Sequence, residues 1–197
     1  MSNSKINFET YIKASSKKEV NPDIRISNET ITQMNLILNV FGDKIGEIAS
    51  GLCKMNGVKT LDAKSVQAAV RIFMIDPYHK DFARDIIQKS TKAVTYFTAG
   101  GKGSKANRAR LIFPPSRAEE FLRSRSSRVG ENACVYLAAA LEAVCIDIMD
   151  GANGSAKDMD RSTIMPKDIN TTIKGDEELE KMFNLLNLKL GPAGYIP

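Results

Sequence analysis

Tryptophan is absent from this chain of 197 residues, histidine occurs once and cysteine three times. A lone histidine, His79, leaves no partner with which to build a Ser/His/Asp relay, and no Cys/His group has metal-ligand spacing. The sequence therefore points to no enzyme, no metal and no cofactor. Cys53, Cys134 and Cys145 form no CxxC pair and are odd in number, which argues against a disulfide framework and fits a reducing, intracellular setting. No apolar run approaches the roughly 18 to 20 residues of a membrane span, so no membrane partner is expected. The opening MSNSKINFETYIKASS lacks an apolar signal core. A phosphate-binding GxxxxGK[ST] loop is missing too. That leaves the glycine- and lysine-rich stretch TYFTAGGKGSKANRARLIFPP, residues 95–115, to be a linker or a nucleic-acid contact.

What the chain does contain is an ordinary globular apolar fraction, 43%, and a net charge of +5 that is unevenly placed. Residues 101–128 hold eight Lys/Arg against two Asp/Glu, whereas residues 129–197 hold six against eleven. One basic and one acidic face are expected, and a basic stripe suits a polyanion. A solvated surface without a partner is the plainer alternative.

Apolar residues recur at helical spacing. Ile31, Met34, Leu38, Phe41, Ile45, Ile48, Ala49 and Leu52 lie on one face of a helix of nearly thirty residues, with Ser27 or Asn28 as its N-cap and Gly57 as its stop. A shorter helix over Phe8 to Val20 precedes it, and others follow over Asp62 to Ile75 and Asp81 to Phe97. After the glycine stretch the pattern starts again. SRAEEFLRS is short, NACVYLAAALEAVCIDIMDGA is long with Val135, Ala138, Leu141, Cys145, Ile148 and Ala152 on one face, and PKDINTTI and DEELEKMFNLL are short. A shift of 103 residues (163 less 60) lays TLDAKSVQAAV at Thr60 onto TIMPKDINTTI at Thr163 without a gap, and takes Leu38 to Leu141 and Ile45 to Ile148. An internal repeat follows. No strand pattern competes, and only the threonine loops are candidates for short β-bridges, so the expected class is all-α. A helix of thirty residues is about 45 Å long, too long for its own half to cover, so the two long helices are expected to cross and cover each other.

These segments carry a resemblance. QAAVRIF with KSTKAVTYFT resembles the third and terminal helices of a 2B-type core histone. RARLIFPPSRAEEFLRS, SRVGENACVYLAAALEAVCIDIMDGA, STIMPKDI and GDEELEKMF resemble a 2A-type core histone almost end to end. The likeness runs over residues 8–197, and the fused order is similar to the histone doublets of large DNA viruses of the Marseillevirus group. It implies two histone folds in one chain, paired as an intramolecular handshake, each with an extra C-terminal helix. The expected division is 1–98 for the 2B-type fold, 99–107 for a basic linker and 108–197 for the 2A-type fold with a short docking segment. The implied role is structural: wrapping double-stranded DNA without base readout in a nucleosome-like particle, two copies per particle, beside a type 3 and type 4 histone pair or doublet. The implied setting is the virion and the infected host cell, in a viral factory or the nucleus. A histone-fold transcription regulator acting through protein contacts is the alternative.

The resemblance also assigns residues. Ile26 and Ser27 match a loop that presents backbone amides to phosphate. Lys59 and Thr60, and their counterparts Arg161, Ser162 and Thr163, lie in the second loops. Arg108, Arg117 and Arg128 match DNA-contacting arginines, with Arg110 and Arg123 as basic neighbours. Glu142, Asp147, Asp150, Asp176, Glu177 and Glu178 match an acidic patch that receives basic peptides. Gly191, Gly194, Tyr195 and Ile196 resemble the docking segment. Three departures stand out. Val58 and Thr163 replace the arginine usual in each second loop, Lys89 stands where the 2B-type family adds a glutamate to the patch, and about four extra residues surround Pro77. Fewer groove arginines imply looser DNA wrapping.

Overall fold

The computed structural model describes residues 6–74 and 81–189; His79, the insertion around Pro77 and the docking segment from Gly191 to Ile196 lie outside them. Among the described residues the order is α1 Glu9–Ser15, continued by a π-helical turn Ser16–Val20, then β1 Arg25–Ile26, α2 Asn28–Met55, α3 Ala63–Phe73, α4 Asp81–Thr98, α5 Lys105–Ala109, α6 Pro115–Arg123, α7 Glu131–Asp158, β2 Thr163–Ile164, α8 Pro166–Gly175 and α9 Glu177–Leu185. The fold is all-α, and the short, long, short helix set occurs twice. The shift of 103 residues (131 less 28) lays Asn28–Met55 onto Glu131–Asp158 end to end and brings the start of α3 onto the start of α8.

Local chemistry sets these boundaries. Ser27 Oγ accepts the Thr30 amide at 3.2 Å and so caps α2. Gly57, at φ 66°, closes it: the Val58 amide returns to the Cys53 carbonyl at 2.9 Å. The position equivalent to Gly57 is Asp160, which takes the same left-handed conformation at φ 51° while Arg161 N–H donates to the Ala156 carbonyl. Asp62 opens α3 by accepting the Ser65 amide at 2.8 Å.

The chain divides into two compact units, residues 1–40 with 144–197, and residues 41–143. The first contains α1, β1, the start of α2, the end of α7, β2, α8 and α9. Phe8, Ile12, Ile31, Met34 and Leu38 from the first half of the sequence share its core with Ile148, Ala152, Ile164, Ile173 and Phe183 from the second. Asn39, buried, grips the incoming chain by accepting the Ile6 amide and donating to the Ile6 carbonyl, both at 2.8 Å. β1 and β2 pair in parallel, Arg25 with Thr163 and Ile26 with Ile164, and the Thr30 hydroxyl donates to the Ile164 carbonyl at 3.1 Å. Beyond this bridge Arg161 forks onto the carboxylate of Asp168, which also accepts the Met165 amide at 2.8 Å. Burial pushes this carboxyl up, but the guanidinium and amide hydrogen bonds outweigh it and hold Asp168 below its ordinary value.

The second unit contains the end of α2, α3, α4, α5, α6 and the start of α7. Phe41 meets Phe73 edge to face at 5.8 Å, and Leu61, Val70, Ile86, Phe113 and Leu122 are buried with Val135 and Leu137. Leu61 bridges Val129 in parallel. Under the shift of 103 residues, Ile26 becomes Val129 and Leu61 becomes Ile164, so each unit holds the same bridge built from opposite halves. That reciprocal pairing is the interleaving of halves that the sequence predicts. α6 lies so close to α2 that a Cβ on Gly42 meets the Phe121 ring at 2.7 Å. The glycine linker does not run extended to its end. Ser104 Oγ accepts the Asn107 amide at 3.2 Å and starts the short helix α5, which Lys105 ties to Glu131 at 2.8 Å.

Contrary to the expectation that no stretch approaches a membrane span, α7 is apolar and long enough to pass for one by composition, its few charges being spaced among apolar residues, yet 83% of its most apolar stretch is buried within the protein. It is a core helix.

Two outcomes are expected. Gly42→Ala, which at an open helical site gains roughly 1 kcal/mol, loses about 1–3 kcal/mol here because Phe121 must be displaced; urea unfolding measures it. Asp168→Asn destabilises the chain at neutral pH. Because the folded carboxyl titrates below 3.8, its contribution is present above that pH and disappears as pH falls through the lower folded value. Melting curves of the two proteins therefore converge in acid and stay apart at pH 5 to 7.

Candidate nucleic-acid interface

In the first unit the parallel bridge brings Ile26 and Ser27 beside Thr163 and Ile164, residues far apart in sequence. The Ser27 amide is engaged: it donates to the Ile164 carbonyl at 3.0 Å, and the Thr30 amide goes to Ser27 Oγ. The Glu29 carboxyl sits at the same helix start and is held below its ordinary value, first by its own backbone amide and then by the Ser27 side chain. Of the second-loop residues, Ser162 is exposed and Thr163 half-buried. Arg161 is occupied by Asp168, and one of its guanidinium nitrogens also donates to the Thr163 carbonyl at 3.3 Å.

The second unit repeats the arrangement with different side chains. Lys59, Thr60 and Arg128 are all exposed. The Leu61 amide donates to the Arg128 carbonyl and the Gly130 amide to the Leu61 carbonyl, each at 2.9 Å, so the loop bearing Lys59 and Thr60 is laced to the loop bearing Arg128. Val58 and Met55 are exposed beside it, at 49% and 85%. An apolar surface thus lies beside these cations, at the departure that Val58 makes from the resemblance.

The arginines just after the linker turn back onto the protein. Arg108 donates to the Phe97 carbonyl at 3.1 Å and stacks over the Phe97 ring at 4.2 Å. A cation there suits the carbonyl end of α4. Arg110 takes a left-handed conformation at φ 58° and lies over the Tyr96 ring at 4.0 Å, still exposed. On α6, Arg117 pairs with Glu120 at 3.4 Å and Arg123 with Glu119, the latter arginine being exposed. Surface pairs of this kind contribute little and open readily to a better anion.

The acidic residues separate into two groups. In the first unit Asp150, Asp176 and Glu177 are exposed, and Asp147 and Glu178 half-buried; Asp176 also caps α9 by accepting the Glu178 and Leu179 amides at 2.8 and 3.0 Å. Glu142 belongs to the second unit. It is only 8% exposed, and its carboxylate accepts the Ile112 and Phe113 amides at 2.7 and 2.6 Å. It anchors the chain that enters α6. Lys89 pairs with Asp85 at 2.6 Å.

Two arginines escaped the sequence reading. Arg125 bridges Asp43 at 2.9 Å and donates to the Phe121 carbonyl, a fastening between α6 and α2 that no local motif announces. Arg25 is exposed in β1 opposite Thr163. The repeat itself gave the signal, since the shift that maps Ile26 onto Val129 maps Arg25 onto Arg128.

Comparison with known proteins agrees with this architecture. The family model of the core histone domain, shared by histones of types 2A, 2B, 3 and 4, matches residues 119–175. The histone doublet of Melbournevirus, a 2B-type histone joined to a 2A-type one, is 32% identical over 166 residues, 82% of this chain and 60% of that protein, so the chain spans less than two thirds of that relative's length. A 2A-type histone of Lodderomyces elongisporus is 33% identical over 55% of this chain and 84% of its own length, and a 2A-type histone of Tetrahymena thermophila is 35% identical over 55% and 82%. Among solved structures, the histone from Methanopyrus kandleri superposes with a TM-score of 0.57 at 12% identity over 87% of this chain and 97% of that one, a likeness of fold alone. With two short, long, short helix sets, reciprocally bridged loops and these relatives, the chain belongs to the histone family.

Proposed function

We propose that this chain is a DNA-packaging histone doublet, with a 2B-type half over 1–98, a linker over 99–107 and a 2A-type half over 108–197. It holds double-stranded DNA by its backbone, without base readout, in a nucleosome-like particle completed by a type 3 and type 4 histone pair or doublet. The observation that carries this reading is the pair of reciprocal loop bridges. Each gathers hydroxyl and cationic residues from both halves onto a short, hydrogen-bonded element, and rigidly held cations and hydroxyls are what phosphate positioning uses. Lys59, Thr60 and Arg128 form one such group, and Ser162 and Thr163 contribute to the other. Arg110, Arg117 and Arg123 extend the basic surface. Arg108 and Arg161 serve it indirectly, by fixing the linker and the second loop. The exposed acids Asp150, Asp176 and Glu177 are the surface open to a basic peptide, and the virion or the infected cell is the setting.

Micrococcal nuclease digestion of DNA reconstituted with this chain and a type 3 and 4 histone partner is expected to leave a discrete protected fragment, on the order of 146 base pairs or somewhat less. A smear with and without the partner would sink the proposal. The Glu29 carboxylate opposes phosphate at the start of α2. Glu29→Gln is accordingly expected to tighten DNA binding about two- to fivefold at low salt, the size of a charge effect at a helix end, and a filter-binding titration reads it.

A further inference from the structure

The two loop bridges are equivalent under the repeat, so their charges can be compared position by position. In the second unit the residue before the bridging Val129 is Arg128, exposed, with its carbonyl fixed by the Leu61 amide. In the first unit the residue before the bridging Ile26 is Arg25, also exposed. Arg25 is the register partner of Thr163, so the two side chains leave the same face of the parallel pair. The equivalent of Thr163 in the other loop is Thr60, beside Arg128. Each bridge therefore offers one guanidinium and one threonine hydroxyl, both donors suited to a phosphate oxygen.

The charge around Arg25 points the same way. Arg161, the other arginine of this loop pair, is forked onto Asp168, which is 1% exposed, so its charge is neutralised within the protein. Thr163 itself carries none. The remaining exposed cation of the second loop and the helix turn after it is Lys167, in the first turn of α8. The position equivalent to Lys59 is Ser162. Without Arg25 the first-unit bridge would present one exposed cation, Lys167, where the second-unit bridge presents Lys59, Lys64 and Arg128. Asp23, exposed two residues before Arg25, is the nearest acid along the chain; its amide is folded back onto the Asn21 side chain at 3.0 Å.

We propose that Arg25 contacts a DNA backbone phosphate as the counterpart of Arg128, restoring to the first-unit bridge the cation that Thr163 and the paired Arg161 do not supply. The proposal rests on the DNA-packaging reading and adds a residue to it. Its test is the salt dependence of binding of the full chain to a fluorescent duplex of about 30 base pairs and mixed sequence, read as the slope of log K against log salt. Arg25→Gln is expected to lower the slope by about 0.9, Arg128→Gln by about the same, and the double variant by about twice that. Lys44→Gln, which removes a cation paired with Glu47 on α2, leaves the slope unchanged, and Arg25→Lys keeps it. If Arg25→Gln binds with the wild-type slope while Arg128→Gln loses its share, the role of Arg25 is overturned and the packaging reading stands. An equal loss in Arg25→Lys assigns the effect to folding and overturns the role as well. Absence of salt-dependent binding by the wild-type chain removes both.

Discussion

A 28-residue helix spans about 42 Å, and its apolar face cannot be covered by the short helices of its own half. The rest of the structure follows from that constraint. Each compact unit takes part of α2 and part of α7 and mixes apolar side chains of both halves in one core. Each also joins the first loop of one half to the second loop of the other by a parallel bridge. Hydrophobic burial supplies the drive, and the bridges set the register, because a slip of one residue would turn Ile164 and Leu61 out of their cores.

The same architecture sorts the arginines. Net positive charge alone treats them as alike, but the fold assigns them different work. Arg161 compensates a buried carboxylate, Arg125 fastens α6 to α2 through Asp43, and Arg108 closes the carbonyl end of α4. Arg25, Arg123 and Arg128 keep their exposure. The arginines left exposed are therefore fewer than the composition suggests, and Arg25 and Arg128 among them sit at equivalent places in the two loop pairs.

Much of this was legible in the sequence. The spacing of Ile31 to Leu52 and of Val135 to Ala152 gave both long helices, Ser27 and Gly57 gave the ends of the first, and the Thr60 and Thr163 alignment gave the equivalence of the loops. What stayed hidden depends on distance in space. Nothing local tells that Glu142, on an otherwise apolar helix, accepts two amides from residues 112 and 113, or that Asp168 waits for Arg161. The linker's glycines likewise gave no sign of the short helix that Ser104 caps in its second part.

The clasp at the end of α4 has a consequence for exchange. Arg108 over Phe97 and Arg110 over Tyr96 hold the start of the second half against the end of the first, and Lys105 on Glu131 ties the linker to α7. Two separate chains pair by diffusion and part by dissociation, so either one can be replaced while the other stays. Here the halves share a peptide backbone and a stapled junction, so their ratio is fixed at one to one during synthesis and their encounter does not depend on concentration. Neither half can therefore leave or be replaced without the other, and a foreign half competing for one side meets a partner that is already bound in cis.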